Sequence, residues 1–116
     1  MTYDPNNIFA KILRREIPAT ILYEDDFALA FADIAPAAPT HALVIPKGAY
    51  THYADFMARA GRAEIGGFFA AVHQVAEQLG VAENFRLITN NGADAGQTVP
   101  HFHVHILAGR TMGALL

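Results

Sequence analysis

Three histidines recur at alternate positions near the carboxyl end, His101, His103 and His105, within the run Gln97-Thr98-Val99-Pro100-His101-Phe102-His103-Val104-His105-Ile106-Leu107. Along an extended strand successive side chains point to opposite faces, so the three imidazoles would stand in a row while Phe102, Val104 and Ile106 bury the other face. A core has no packing use for such a row, and Gly92, Gly96 and Gly109 mark turns on either side of it. The row therefore faces something polar. Two chemistries suit it: ligation of a zinc-like ion by neutral imidazoles, or one imidazole acting as nucleophile or general base while its neighbours orient it.

Geometry separates the two. Ligands on zinc must converge to about 2.0–2.1 Å of one point, and positions i and i+2 of a strand can do so. Adding i+4 spreads the rings over roughly 13 Å of chain at ~3.3 Å per residue. A metal site would then need His41 or a carboxylate, and sequence separation leaves Asp33 and Asp94 open. A linear row suits a nucleophile better. The middle imidazole, His103, can donate one ring nitrogen to a backbone carbonyl and keep the other as a free lone pair. Asn90, Thr98 and the amides of the Gly96-Gln97-Thr98-Val99 loop are donors suited to phosphoryl oxygens. No P-loop, GxGxxG motif or pair of carboxylates for magnesium accompanies them. The chain points to metal-free phosphoryl chemistry.

The elements that must position these groups follow from periodicity. Asn6 or Asn7 caps a short helix with Ile8, Phe9, Ile12 and Leu13 on one face, ended by Pro18. Ile21–Glu24 reads as a strand, Asp25-Asp26 as a turn, and Phe27–Ala32 as the hairpin partner. Residues 33–40 form a loop, because Pro36 and Pro39 deny backbone donors. His41 opens a central strand, Ala42–Pro46, and by itself reads as a core residue satisfied by one hydrogen bond. From about Met57 to Leu79 the period is helical, with Gly66-Gly67 inside it for close packing and Gly80 as a cap. His52 and His73 read as solvated structural residues. Phe85–Thr89 is a strand, Asn90-Asn91-Gly92 a turn, and the histidine strand closes the chain. The sum is an α+β sandwich of antiparallel strands with one helical layer, a single domain over 1–116.

Composition removes whole classes of function. The 116 residues are 53% hydrophobic and 16% charged, with a formal charge of −3. That leaves no basic patch for nucleic acid or anionic membrane, and some apolar surface to meet a partner subunit. The absence of cysteine excludes disulfides and thiolate zinc sites. The amino-terminal stretch lacks the pattern of a signal peptide, and no apolar run reaches the ~18 residues of a spanning helix. A cytoplasmic protein is expected.

His101-Phe102-His103-Val104-His105-Ile106-Leu107 resembles the His-φ-His-φ-His-φ-φ signature, φ apolar, of the histidine triad (HIT) superfamily. Further segments look like its Hint branch: Ile8–Ile12, Glu16–Ala19, Glu24–Asp26, Phe31–Ile34, Ala38–His41, Leu43–Lys47 and Gly96–Val99. The resemblance runs in order from about Asn7 to Arg110. It implies a HIT-like antiparallel sheet of about five strands with a long and a short helix. The homodimer it implies would form through the helix at about 57–79 and the strand ahead of it.

The implied activity is that of a purine nucleoside phosphoramidase or nucleotidyl hydrolase with no cofactor and no metal. His103 would attack the α-phosphate, giving a nucleotidyl-histidine that water hydrolyses. His101 would hold the ring of His103 through its carbonyl, His105 would meet phosphate oxygens, and His41 would support His105. Asn90, Thr98 and the Val99 amide, within the loop that includes Gly96 and Gln97, would bind the phosphate. Asp33 would take the ribose hydroxyls, and Ile8, Phe9, Ile12, Phe31, Ile34 and Leu43 would line the base pocket. Thr98 stands where serine is common, Pro100 removes an amide beside the triad, and the tail from Thr111 lacks an aromatic residue. Other readings are a nucleotide-binding regulatory module, a dinucleoside polyphosphate hydrolase and a metal-dependent hydrolase.

Overall fold

Even-numbered and odd-numbered side chains of the central strands part to opposite faces, and that parity organises the molecule. The computed structural model describes residues 1–115; Leu116, the end of the tail and of the expected domain, lies outside the described residues. In chain order the elements are α1 (Ile8–Leu13), β1 (Ile21–Glu24), β2 (Ala28–Ala32), β3 (Thr40–Pro46), α2 (Tyr53–Arg59), α3 (Arg62–Gln78), β4 (Arg86–Ile88), one 3-10 turn (Ala93–Ala95) and β5 (Val104–Ala108). The strands form one antiparallel sheet in the order β1-β2-β3-β5-β4. This is the expected α+β architecture, with β3 at its centre.

On the even face Ala28, Ala30, Ala42, Val44, Phe102, Val104 and Ile106 meet Phe56, Phe68, Val72 and Val75. The small alanines let the helices approach, and three phenylalanines fill the gap. Phe56, Phe68 and Phe102 are fully buried, each worth roughly 2–3 kcal/mol of transfer free energy. On the odd face Leu29, Phe31, Leu43 and Ile45 lie under Phe9 and Ile12 of α1. Helices therefore stand on both faces, where the sequence suggested a single helical layer. With six residues, α1 is only about 9 Å long. It packs on the β2–β3 half of its face, and Phe9 reaches on to the edge of the His103 ring at the margin of the β5 half.

Both helical segments differ from expectation. The first helix ends at Leu13, ahead of Pro18, because Arg15 takes a left-handed φ of 62° and the Glu16 amide reaches back to the Lys11 carbonyl. Asn7 caps the start, its side chain accepting from the Ala10 amide at 2.9 Å.

The helix expected over 57–79 is two. His52 is more than a solvated residue: it caps α2, its Nδ1 accepting from the Asp55 amide. The chain then breaks at Ala60-Gly61. The rings of Phe56 and Phe68 lie 5.3 Å apart, whereas twelve residues of straight helix would separate them by about 18 Å. The break folds α2 back so that both rings share one core. Gly67 makes the close approach expected of the glycine pair, since a Cβ there would lie 2.5 Å from the Phe27 ring; Gly66 faces open space.

β3 is paired on both sides, by β2 and β5. The strand ahead of the long helix thus has no free edge for a partner subunit; the free edges are β1 and β4. Among the described residues, no helix is long and apolar enough to cross a membrane.

Candidate active site

Strand pairing begins at Val104, so His101 and His103 precede the ladder that the sequence suggested for the whole row. Other bonds hold this approach in place. The Phe102 amide donates to the Tyr50 carbonyl at 2.7 Å and the Thr89 hydroxyl to the His103 carbonyl at 2.7 Å. Antiparallel pairing sets Leu43 opposite His105 and His41 opposite Leu107, which brings His41 to the triad from 64 residues away.

The proton on each imidazole follows from partners whose roles are fixed. A carbonyl only accepts and an amide N–H only donates. His103 Nδ1 lies 2.7 Å from the His101 carbonyl and must carry the proton. Its Nε2 is left as a lone pair, and His103 forms part of the cavity wall. The Ala37 amide donates to His41 Nδ1 at 3.0 Å, so the proton of His41 sits on Nε2 and is donated to His105 Nδ1 at 2.9 Å. His105 in turn carries its proton on Nε2. His101, with no exposed surface, donates from Nε2 to the Pro46 carbonyl at 3.2 Å and accepts at Nδ1 from the Tyr3 hydroxyl at 2.9 Å.

Burial keeps the triad neutral. It pushes the His101 imidazole down to about 4, against a raising effect of the Pro46 carbonyl. His105 falls to about 4, through burial first and then the neighbouring His103 and His41. His103 is lowered mainly by burial, opposed by its bond to the His101 carbonyl and by the Asp33 charge. The edge of Phe9 meets the His103 ring at 4.9 Å.

A cavity of about 250 Å³ opens on this face, and its wall includes Ile8, Phe9, Ile12, Phe31, Asp33, Ile34, Leu43, Thr98, Val99, His103 and His105. Ile34 is 94% exposed and stands at the rim. His101 and His41 lie behind this wall, acting on it through His103 and His105. A larger open groove of about 650 Å³ between Asn84–Arg86 and Gly109–Met112 contains none of the histidines.

The loop before the triad is narrower in its donors than the sequence suggested. Gly92 and Gly96 take φ of 96° and 101° around the 3-10 turn, a conformation that glycine adopts without strain. The Gly96 amide then bonds to the Ala93 carbonyl and the Gln97 amide to the Gly92 carbonyl. The Gln97 side chain is buried, accepting from the Gly92 amide and donating to the Thr51 and Val99 carbonyls. Gly96 and Gln97 therefore build the loop from within. Among the described residues, the amides of Thr98 and Val99 have no partner and remain for a ligand. Asn90 lies against Gly96, its Nδ2 3.6 Å from where a Cβ would stand.

Asp33, His41 and His105 could each offer a ligand atom, all within 4.8 Å of one another. This is the combination that a metal site would have required. The Ala37 amide works against it: an ion on His41 Nε2 would push the ring proton to Nδ1, where the amide N–H already points. The donor set fits a hydrogen-bonded relay better.

Several contributors carried no legible signal. Tyr3 is 98 residues from His101, and the Ala37 amide is a backbone group. Ile17, Pro18, Ala19 and Ala32 complete the cavity wall; they fall in the family-like segments Glu16–Ala19 and Phe31–Ile34, which gave them no individual role.

A family model for the HIT domain matches residues 14–112. An uncharacterised 13.2 kDa HIT-like protein of Azospirillum brasilense is 57% identical over 116 residues, covering 99% of this chain and 95% of that protein. The purine nucleoside phosphoramidase of Escherichia coli strain K12 is 46% identical over 110 residues, covering 94% of this chain and 92% of that enzyme. A solved structure, a HIT family hydrolase from Clostridium thermocellum, superposes with a TM-score of 0.83 at 44% identity, covering 96% of this chain and 97% of that one.

Proposed function

The chain belongs to the HIT domain family, and from that premise we propose that it is a purine nucleoside phosphoramidase of the Hint branch, a metal-independent hydrolase working in the cytoplasm as a homodimer. One observation carries the reading: His103 Nδ1–H is held by the His101 carbonyl at 2.7 Å, which leaves the Nε2 lone pair free for attack. The similarity to a phosphoramidase supports the substrate class.

The base enters the apolar cavity, where Phe9, Phe31 and Leu43 supply flat and aliphatic contact, and Asp33 takes the ribose hydroxyls. Thr98, Asn90 and the Val99 amide meet the phosphate. His103 Nε2 attacks the α-phosphorus, a new N–P bond forms, and the bond to the leaving amine breaks as its nitrogen takes a proton from solvent, which the water of the second step returns. His105 Nε2–H meets a phosphoryl oxygen, with His41 holding His105 from behind. Water then attacks the nucleotidyl-histidine, releasing the nucleotide and restoring the lone pair of Nε2. The Ala37 amide supports the metal-free form of this reading. A homodimer would use the flank of α3 and the free edge of β4, where Leu87 is 44% exposed.

Hydrolysis of a fluorogenic adenosine 5′-phosphoramidate by wild type and His103→Ala, with and without excess chelator, tests the proposal. Chelator-resistant turnover that drops by at least ~10³-fold in the variant, a deficit of ~4 kcal/mol in transition-state stabilisation, is the expected result. A folded wild type that binds AMP without turning over would leave a nucleotide-binding module. Loss on chelation would move the chemistry to Asp33, His41 and His105.

A further inference from the structure

Nothing in the proposed chemistry uses Tyr3, yet its hydroxyl lies 2.9 Å from Nδ1 of His101. That imidazole has no exposed surface, and its other nitrogen is committed to the Pro46 carbonyl. A carbonyl accepts only, so Nε2 holds the one proton of the neutral ring and Nδ1 must accept. The Tyr3 ring also leans on the imidazole, with centroids 5.6 Å apart, and Phe9 flanks both His101 and His103. The His101 side chain is thus fastened at one end to the amino-terminal segment and at the other to the end of β3.

We propose that Tyr3 is a positioning residue for the nucleophile: its hydroxyl holds the seat of the His101 ring, whose tautomer the Pro46 carbonyl sets, so that the His101 carbonyl stays aimed at Nδ1 of His103. This deepens the reading of His103 as nucleophile and rests on it. Without the hydroxyl, the His101 Nδ1 lone pair is buried and unpaired. The ring can then change tautomer and lose Pro46, turn towards another donor, or admit water. Each response moves the residue whose carbonyl orients His103. The amides on either side, His101 to the Val99 carbonyl and Phe102 to the Tyr50 carbonyl, limit the backbone shift. The effect is therefore partial, and it falls on kcat because Tyr3 does not line the cavity.

The test is Tyr3→Phe, which removes one oxygen. With the adenosine 5′-phosphoramidate, kcat should fall about tenfold while KM and AMP affinity stay within about twofold. Imidazole ¹⁵N spectra should show His101 Nδ1 moving towards the shift of an unbonded nitrogen, with a change at His103 Nδ1. A folded Tyr3→Phe protein with unchanged kcat would overturn the proposal, as would a loss of kcat with the His103 signals unmoved. Should the variant not fold, the wild-type spectrum decides: a His101 ring protonated on Nδ1 refutes the proposal, and one protonated on Nε2 with a hydrogen-bonded Nδ1 supports it. Absence of turnover by wild type would remove the phosphoramidase reading, and the ¹⁵N comparison would still judge Tyr3.

Discussion

His103 keeps a lone pair on Nε2 because three backbone groups, the carbonyls of Pro46 and His101 and the amide of Ala37, dictate where four imidazoles carry their protons. Neutrality is the second requirement, and burial supplies it. For His101 the sign is clear. Its folded value of about 4 lies below the ordinary 6.5, so the unfolded chain binds a proton that the folded chain refuses. Stability is fully present above 6.5, falls as pH drops towards 4, and is then flat for this group. The gap is on the order of 3 kcal/mol. Urea unfolding at pH 7, 5.5 and 4.5 should show this decline, and His101→Phe should lose about one proton of the pH dependence. The Asp55 carboxylate, held down chiefly by Arg59, is lost only at more acid pH. Because burial also lowers His103, the acid limb of kcat/KM should lie below 6.5; a limb above 6.5 would contradict a buried neutral nucleophile.

Among the elements, α3 shows how neighbouring residues of one type serve different ends. Gly66 and Gly67 look alike in sequence, yet one faces open space and the other the Phe27 ring. Gly66→Ala should raise stability by up to ~1 kcal/mol through helix propensity. Gly67→Ala should lower it by about 1–3 kcal/mol through overpacking. Thermal melts of the two variants check this, and equal stabilisation of both would refute the close-packing account. The loop before the triad follows the same logic. Gly92 and Gln97 bond to each other, Gly96 to Ala93, and the Gln97 side chain onward to Thr51 and Val99, which leaves the amides of Thr98 and Val99 without a partner among the described residues.

The whole molecule places α1 on half of one sheet face and the paired helices α2 and α3 on the other. The cavity opens at the end of the odd face beyond α1, with His103 and His105 in its wall and His101 buried behind it. The free edge at β4 and the exposed Leu87 belong to this scale as well. Sedimentation should give twice the chain mass for wild type and a shift to the monomer for Leu87→Lys. A wild type that is monomeric at about 100 μM would sink the proposed dimer.

Sequence alone determined what is local or periodic. The apolar strand runs Ile21–Glu24 and Phe27–Ala32, the alternation of the histidine row, and the Asn7 cap are properties of neighbouring residues, and each marks its own element. Even the partnership of His41 with the triad was legible, though only through resemblance to a family. Tertiary structure alone decided the break at Ala60-Gly61, since it answers to the meeting of Phe56 with Phe68. The split between Gly66 and Gly67, the internal use of the Gly96 and Gln97 amides, and the Tyr3–His101 bond are of the same kind. Each depends on an atom that another part of the chain brings within hydrogen-bond or van der Waals range, and no pattern of near neighbours records that distance.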